Sequence, residues 1–416
     1  MTDNRDPRRP DQLSILAPAE TKPKLDALHR AVERAAGHPM SRRSALGLGG
    51  LMLLSACGST STGQASPGSG SSAGSGGLAG KPMENHLEIF NWSEYDDPST
   101  YKKFMQLPAE AKAGLKIHET YYSSNDELLA KLNAGGTTYD IIAPSQNAVA
   151  QLIQEGKLLK LDAALIPNLS NLDPKFLKPS YDPTGEYHVI KDYGITMFFY
   201  NNTVVTEQPQ TMHDFYELLP KYVSKGRTNL LDGAEEVVPL ALSALGIDVN
   251  TDSKSDFDKV TSFLMSIRKG VTTITSSSYI DDAIAGKIIL SQGWNGDVRR
   301  IVQGRKKEGD ITAVIPHGAS EIWADNWCIP STAPDPVAAH AWINWLLTPS
   351  TAVTEMEYHN YNVPIPSALS QLPASLKNDP LFNVPASYTE NYEYILNVSP
   401  QVVQERTKIY TQFRAG

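Results

Sequence analysis

The sequence predicts an α/β protein of two lobes, each a mostly parallel sheet flanked by helices. Two observations lead there. With 416 residues, the chain is too long for one typical core, which stops growing beyond about 250–300 residues. From residue 86 onward, short runs that read as strands alternate with runs of helical period. That alternation implies βαβ units with right-handed crossovers.

The elements follow in order. "HLEIFNW" (86–92) is a short strand, and a helix capped at Asp97 runs to Gln106. "LKIHETYYS" (115–123) is a second strand. Ser124 to Asn133 is a helix, with Leu128, Leu129 and Leu132 on one face and a Ser or Asn cap. "YDIIAPS" (139–145) reads as a buried strand, and "AVAQLIQEGKLLKL" as a helix ending at Gly156. Ligands in such sheets sit beyond the carboxyl ends of the strands. That places Trp92, Glu94, Tyr95 and Ser145 at a candidate site. "GITMFFYNN" (194–202) is a strand crossing into the second lobe. Helices near 211–219, 235–245 and 255–269 alternate there with strands "KIILSQGWNG" and "DITAVIP". "IWADNWCIP" (322–330) returns to the first lobe, the helix "DPVAAHAWINWLLTP" follows, and the last 50 residues are expected to be mostly helical.

The stretch 322–330 raises a chemical question. Alternate strand residues share a face, so Trp323, Asp325 and Trp327 point the same way. A carboxylate beside an indole is costly to bury unless something cationic meets it.

The first 80 residues stand apart from this pattern. Residues 40–60, "MSRRSALGLGGLMLLSACGST", carry an Arg pair and then a short apolar run. That run is too short to span a bilayer, which takes about 20 residues, and the arrangement reads as an export signal. "SRRSAL" resembles a twin-arginine signal. "LSAC" (54–57) resembles a bacterial lipobox, which would make Cys57 the lipidated first residue of the mature chain. The leader is thus 1–57, with Met1 or Met40 as its start. Residues 58–83 form a Gly/Ser-rich tether, a flexible coil spanning roughly 25–30 Å. With Cys57 lipidated, Cys328 has no intrachain partner and no disulfide is expected.

Lys and Arg number 37 against 46 Asp and Glu, a formal net charge of -9. This argues against nucleic acid as a partner and favours cationic ligands, although solubility alone accounts for such a charge. No Cys/His cluster points to a metal, and no cofactor is expected. His118-Glu119 lacks the second histidine of H-E-x-x-H, and no G-K-[ST] follows a glycine loop. The G-x-S-x-G letters at Gly70–Gly74 lie in the tether, with no strand before them.

Seven stretches in order resemble the periplasmic spermidine/putrescine-binding proteins of ABC importers: "FNWSEY" (90–95), "LLAKLNAGGTTYDIIAPS" (128–145), "LSNLDPKFL" (169–177), "LLDGAEEV" (230–237), "GWNGD" (293–297), "IWADNWCIP" (322–330) and "YNVPIP" (361–366). The resemblance implies a two-lobed type II periplasmic-binding fold that closes on its ligand by a hinge. It divides the body into 84–194 plus 320–368 for one lobe and 195–319 plus 369–416 for the other. It implies an exported, lipid-anchored, monomeric binding protein that takes a polyamine between its lobes. That protein hands the ligand to a membrane permease driven by a separate ATPase.

Carried over by position, the pocket comprises Trp92, Glu94, Tyr95, Ser145, Glu236, Trp294, Trp323, Asp325 and Tyr361. The family's pair of acids three apart maps to Gly233 and Glu236, so its first acid is missing. Asp232 either replaces that acid or caps the helix. Glu236 is a ligand carboxylate or a first-turn acid favoured by the helix dipole, and Glu94 a ligand acid or a solvated one. Asp297 either caps a helix or touches ligand. A tyrosine of the family falls on Asn147, and a polar position near the C-terminus on Leu396. Trp327, Trp342, Trp345 and Cys328 read as core.

A polyamine suits such a set. Each methylene removed from water contributes about 0.8 kcal/mol. Indole faces attract cations by about 0.5–2 kcal/mol, and carboxylates at fixed spacing measure the distance between ammoniums. Asp325 would thus meet a ligand ammonium, unless it and Trp323 form a structural pair. The acid missing at 233 predicts a preference for putrescine over spermidine. The alternatives are the same fold with another organic cation or amino compound, an exported hydrolase, or a tethered sensor.

Overall fold

The structure is a computed structural model that describes residues 77–416 apart from 94, 123, 136 and 137. The leader with Cys57, most of the tether, and Glu94 lie outside the described residues. No helix among the described residues is long and apolar enough to cross a membrane.

In the smaller sheet, β1 (His86–Trp92) lies between β2 (Lys116–Tyr122) and β3 (Ile141–Ile142), parallel to both. The helices between these strands start where short polar side chains satisfy free first-turn amides. Asp97 accepts from the Ser99 amide to open Pro98–Met105, and Ser124 accepts from the Glu127 amide to open Asn125–Ala134. β3 is shorter than the expected run 139–145. Pro144 has no amide to donate, and Ser145 is already the N-cap of the helix Gln146–Gln154.

The larger sheet uses β4 (Val189–Asn201), β5 (Arg227–Leu230), β6 (Thr273–Ile274), β7 (Ile288–Trp294), β8 (Ile311–Val314), β9 (Ser320–Trp327) and β10 (Tyr392–Glu393). Their order is β10-β9-β4-β7-β5-β6, with β8 also on β4. β5 is parallel to β6 and β7, and β9 to β10, whereas β4 is antiparallel to β7, β8 and β9. β4 begins at Val189 rather than at Gly194, because Lys191 and Asp192 are buried in the strand despite their charge.

β4 and β9 are the two long strands that pass between cores. In β4, Ile190 packs with Phe90, Ile142 and Trp342, while Ile195, Met197 and Phe199 pack with Tyr279 and Ile301. Phe198, on the other face, joins Phe215, Leu240 and Phe413. In β9, Ala324 and Trp327, with Cys328 just after it, belong to the first core and Ile322 packs against the other side. The first core also takes in Leu372, Leu376 and Phe382, and the C-terminal helix Pro400–Ala415 packs in the second through Val402, Ile409 and Phe413.

The last 50 residues are mostly helical, as expected, but the helix comes in short pieces before the C-terminal helix Pro400–Ala415. Between Pro366 and Thr389 the helices are four residues long, Pro366–Leu369, Ala374–Lys377 and Ala386–Thr389. Pro364, Pro366, Pro373, Pro380 and Pro385 interrupt the run, since proline ends a helix it does not begin.

Candidate ligand-binding site

The site lies where β4 and β9 run side by side between the cores. Their register slips at Lys191, so Asp192 stands directly opposite Asp325 while Ile190 pairs with Asn326. Such a bulge re-aims side chains. Here it sets two aspartates across from each other, an unfavourable placement for like charges.

Hydroxyl groups hold Asp325. Ser145 Oγ donates to Asp325 Oδ1 at 2.6 Å, and the Tyr95 hydroxyl lies 2.7 Å from Asp325 Oδ2 and 2.5 Å from Asp192 Oδ1. Burial, then the facing Asp192, push Asp325 up to about 7. Behind it, Lys191 Nζ lies 2.9 Å from Asp96 and 3.2 Å from Asp192, and 3.8 Å from the centre of the Tyr95 ring. That cation is already committed to two acids. His359, 3.6 Å from Asp192, is held well below its usual range by burial and by Lys191, and stays neutral. Its Nδ1 accepts the Tyr361 amide.

Aromatic walls are seated on glycines. A Cβ at Gly194 would lie 2.3 Å from Trp323 Cζ2, and one at Gly296 2.5 Å from the Tyr361 ring. The Trp323 and Tyr361 rings meet edge to face at 4.9 Å. The Tyr361 and Tyr279 hydroxyls both donate to Asp297, at 3.1 and 2.8 Å. Asp297 is therefore a first-turn acid that orients a wall, and the N-cap of its helix is Trp294.

A second group of acids stands across the cleft. Glu236, on the helix Ala234–Ala244, has a buried Oε2 with no hydrogen-bond partner. Burial and the neighbouring Glu321 hold it well above the usual carboxylate range. Glu321, in β9, accepts from Thr196 Oγ1 at 2.8 Å, and burial raises it to about 7. Glu235 is likewise raised to about 7, chiefly by burial. Gly233, not Asp232, caps this helix, with φ at 137°. Asp232 sits at the rim, bonded to the Tyr410 hydroxyl and 3.6 Å from Arg414.

Trp92, Tyr95, Ser145, Asp232, Glu236, Trp294, Trp323, Asp325 and Tyr361 all line one cleft of about 490 Å³, a volume suited to a small molecule. Of the sequence-predicted residues, Glu94 of the pocket and Cys57 of the leader lie outside the described residues. Asn147 lines the cleft as well; Leu396 does not. Sequence reading missed Glu235, Glu321 and Arg300 in the lining, and Asp192 behind it. Glu321 was within reach, because it continues the alternation of Trp323 and Asp325 by one step. Asp192 carried no such signal. Trp327, Trp342 and Cys328 are buried in the first core and Trp345 packs against it. Away from the cleft, His86, Asp140 and Asp335 place ligand atoms within 4.8 Å of one another. Both Asp140 oxygens there accept backbone amides, from Glu88 and Asp335, which fits a clamp between segments.

The cleft thus has aromatic walls, several acids and, beside them, a lysine already engaged by two aspartates. The family profile described as bacterial extracellular solute-binding protein matches residues 101–384. The chain belongs to that family. This solute-binding protein is 28% identical over 334 residues to spermidine/putrescine-binding periplasmic protein 1 of Haemophilus influenzae, spanning 79% of this chain and 88% of the relative. It is 27% identical over 346 residues to a putrescine-binding periplasmic protein of Escherichia coli K12, spanning 79% and 91%. The spermidine/putrescine ABC transporter substrate-binding protein of Streptococcus pneumoniae matches with TM-score 0.69 at 26% identity, over 80% of this chain and 99% of that one. The fold is thus the two-lobed type II periplasmic-binding fold. The family works outside the cytoplasm and binds solutes rather than transforming them.

Proposed function

We propose that this chain is the exported, lipid-anchored, monomeric substrate-binding subunit of an ABC importer and that it carries a polyamine to its permease. Cys57 bears the lipid, the tether to residue 83 separates anchor from body, and lobes of 84–194 plus 320–368 and 195–319 plus 369–416 close on the ligand. The observation that carries the ligand class is Asp325. This buried carboxylate lies between two hydroxyl groups near Trp323 on the same strand, with a second aspartate opposite and, among the described residues, no ion pair of its own. An ammonium would relieve the repulsion between the two acids, and the methylenes would lie against Trp92, Trp294 and Trp323. The names of the relatives above point to the same class.

A thermal-shift panel of polyamines, amino acids, sugars and anions tests this, since a ligand that binds only the folded state raises the melting point. Polyamines are expected to raise it most. Arg300 in the cleft wall is the one feature that would suit a carboxylate-bearing amino compound instead. It lies 3.8 Å from Asp297, which favours a role within the wall.

A further inference from the structure

The acid missing at 233 leaves the pocket one carboxylate short at the end remote from Asp325. The backbone there does not readily take an acid: Gly233 has φ at 137°, and an added Cβ would lie 3.1 Å from the Glu235 carboxyl. Asp232 is turned to Tyr410 and Arg414 at the rim. The cleft does have further acids, Glu235 on the helix and Glu321 on β9, and only Glu321 shares a strand face with Trp323 and Asp325.

We infer that Glu321 is the specificity-determining carboxylate of this pocket, pairing with Glu236 to hold the far ammonium of a triamine whose near ammonium meets Asp325. The inference rests on the polyamine reading above. Glu321, Trp323 and Asp325 alternate along β9 and all three line the cleft. Their order is carboxylate, indole, carboxylate on one face of one strand. At about 3.3 Å per residue the two acids are anchored about 13 Å apart. With bonds of roughly 1.5 Å in a zigzag, a four-carbon diamine spans about 6 Å between nitrogens and spermidine about 11 Å. A diamine therefore reaches one end of this ruler and a triamine reaches both.

The environment of Glu321 is that of a cation site. Thr196 Oγ1 fixes its Oε2 at 2.8 Å. Glu236 stands beside it with a buried, unpartnered oxygen. The nearby cation Arg406 gives its Nη1 and Nη2 to the Leu396 and Val249 carbonyls and makes no ion pair with Glu321. Two neighbouring carboxylates, Glu321 buried and Glu236 half-buried, with no ion pair among the described residues, are stabilised by an ammonium between them. With the acid lost from the helix replaced from the strand, spermidine is expected to bind more tightly than Gly233 alone would predict.

The test is titration calorimetry with spermidine and putrescine on the wild type and on Glu321→Gln. The substitution keeps the shape and removes the charge. Spermidine affinity is expected to fall at least tenfold and putrescine affinity less than threefold, because the diamine retains the Asp325 end. Should Glu321→Gln fold poorly, Glu321→Asp serves in its place, and the same ordering is expected. Equal losses for both amines, or no loss for either, would overturn the assignment while leaving the polyamine reading intact. A wild type that binds neither amine would overturn both.

Discussion

Binding at Asp325 should release a proton, and the geometry indicates how much. The Tyr95 hydroxyl lies 2.5 Å from Asp192 Oδ1 and 2.7 Å from Asp325 Oδ2. Both are hydrogen-bonding distances, yet a tyrosine has one hydrogen to donate. The second contact needs a proton on one of the two aspartates. The groups facing the pair are Lys191, Asp96 and the neutral His359 on one side, Tyr361 beside Tyr95, and Glu321 and Glu236 farther along the cleft. Burial and Asp192 hold Asp325 at about 7, and an arriving ammonium favours its charged form and lowers it. Between the lowered value and about 7, each ligand bound expels a proton, so affinity rises with pH across that window. Binding at pH 5 is therefore expected to be at least roughly tenfold weaker than at pH 7 from this carboxylate alone. Glu321, also held near 7, adds to the fall in the same direction. The assay is calorimetry at pH 6 in buffers of different ionisation enthalpy, which should report net proton release from the Asp192–Asp325 pair on binding. An affinity flat from pH 5 to 7, with heats independent of buffer, would refute the reasoning.

Other expectations follow from the same structure. Gly194→Ala places a methyl group 2.3 Å from Trp323 Cζ2 and from Asn295 Oδ1, so it should cost about 1–3 kcal/mol of stability by overpacking and weaken polyamine binding at least tenfold; an unchanged denaturation midpoint and affinity would show that the indole does not need its seat. The ligand-free protein should melt at higher temperature near pH 5 than near pH 8. Asp325, Glu321 and Glu235, held near 7 in the fold, bind protons that the unfolded chain has released above pH 4–5, and this stabilisation is lost as pH rises through 7. A melting point that climbs steadily to pH 8 would contradict this. Cys57→Ala should leave the protein uncleaved or released from membranes, because a lone peptide tether gives no anchor; unchanged membrane fractionation with no mass change at Cys57 in the wild type would rule out the lipid.

The parts legible in the sequence were those governed by local rules. Asp97 and Ser124 announced their helices because a cap is a matter of a few neighbouring atoms. Trp323 and Asp325 announced the cleft because an acid between two tryptophans is rare in a strand. What stayed hidden depended on pairing between distant segments. Nothing in "HVIKDYG" says that Lys191 bulges out of register and turns Asp192 onto Asp325, since that register is set by β9, more than a hundred residues later. The loss of an acid at Gly233 was visible, but its replacement by Glu321 required knowing that β9 and the helix Ala234–Ala244 face one another across the same cleft. The helical character after residue 366 was legible, but its division into pieces of about one turn follows from the prolines spaced along it.

The central claim is that Asp325 receives a ligand ammonium. Titration of spermidine into the wild type and into Asp325→Asn tests it most directly, with the melting point of each ligand-free protein measured alongside. Removing one partner of a desolvated charge pair typically costs about 2–5 kcal/mol. The account predicts a loss of affinity in that range, with a melting point unchanged or raised, because the substitution also removes the repulsion from Asp192. Unaltered spermidine binding, or a ligand-free variant that is severely destabilised while binding normally at low temperature, would contradict it and make Asp325 a structural residue.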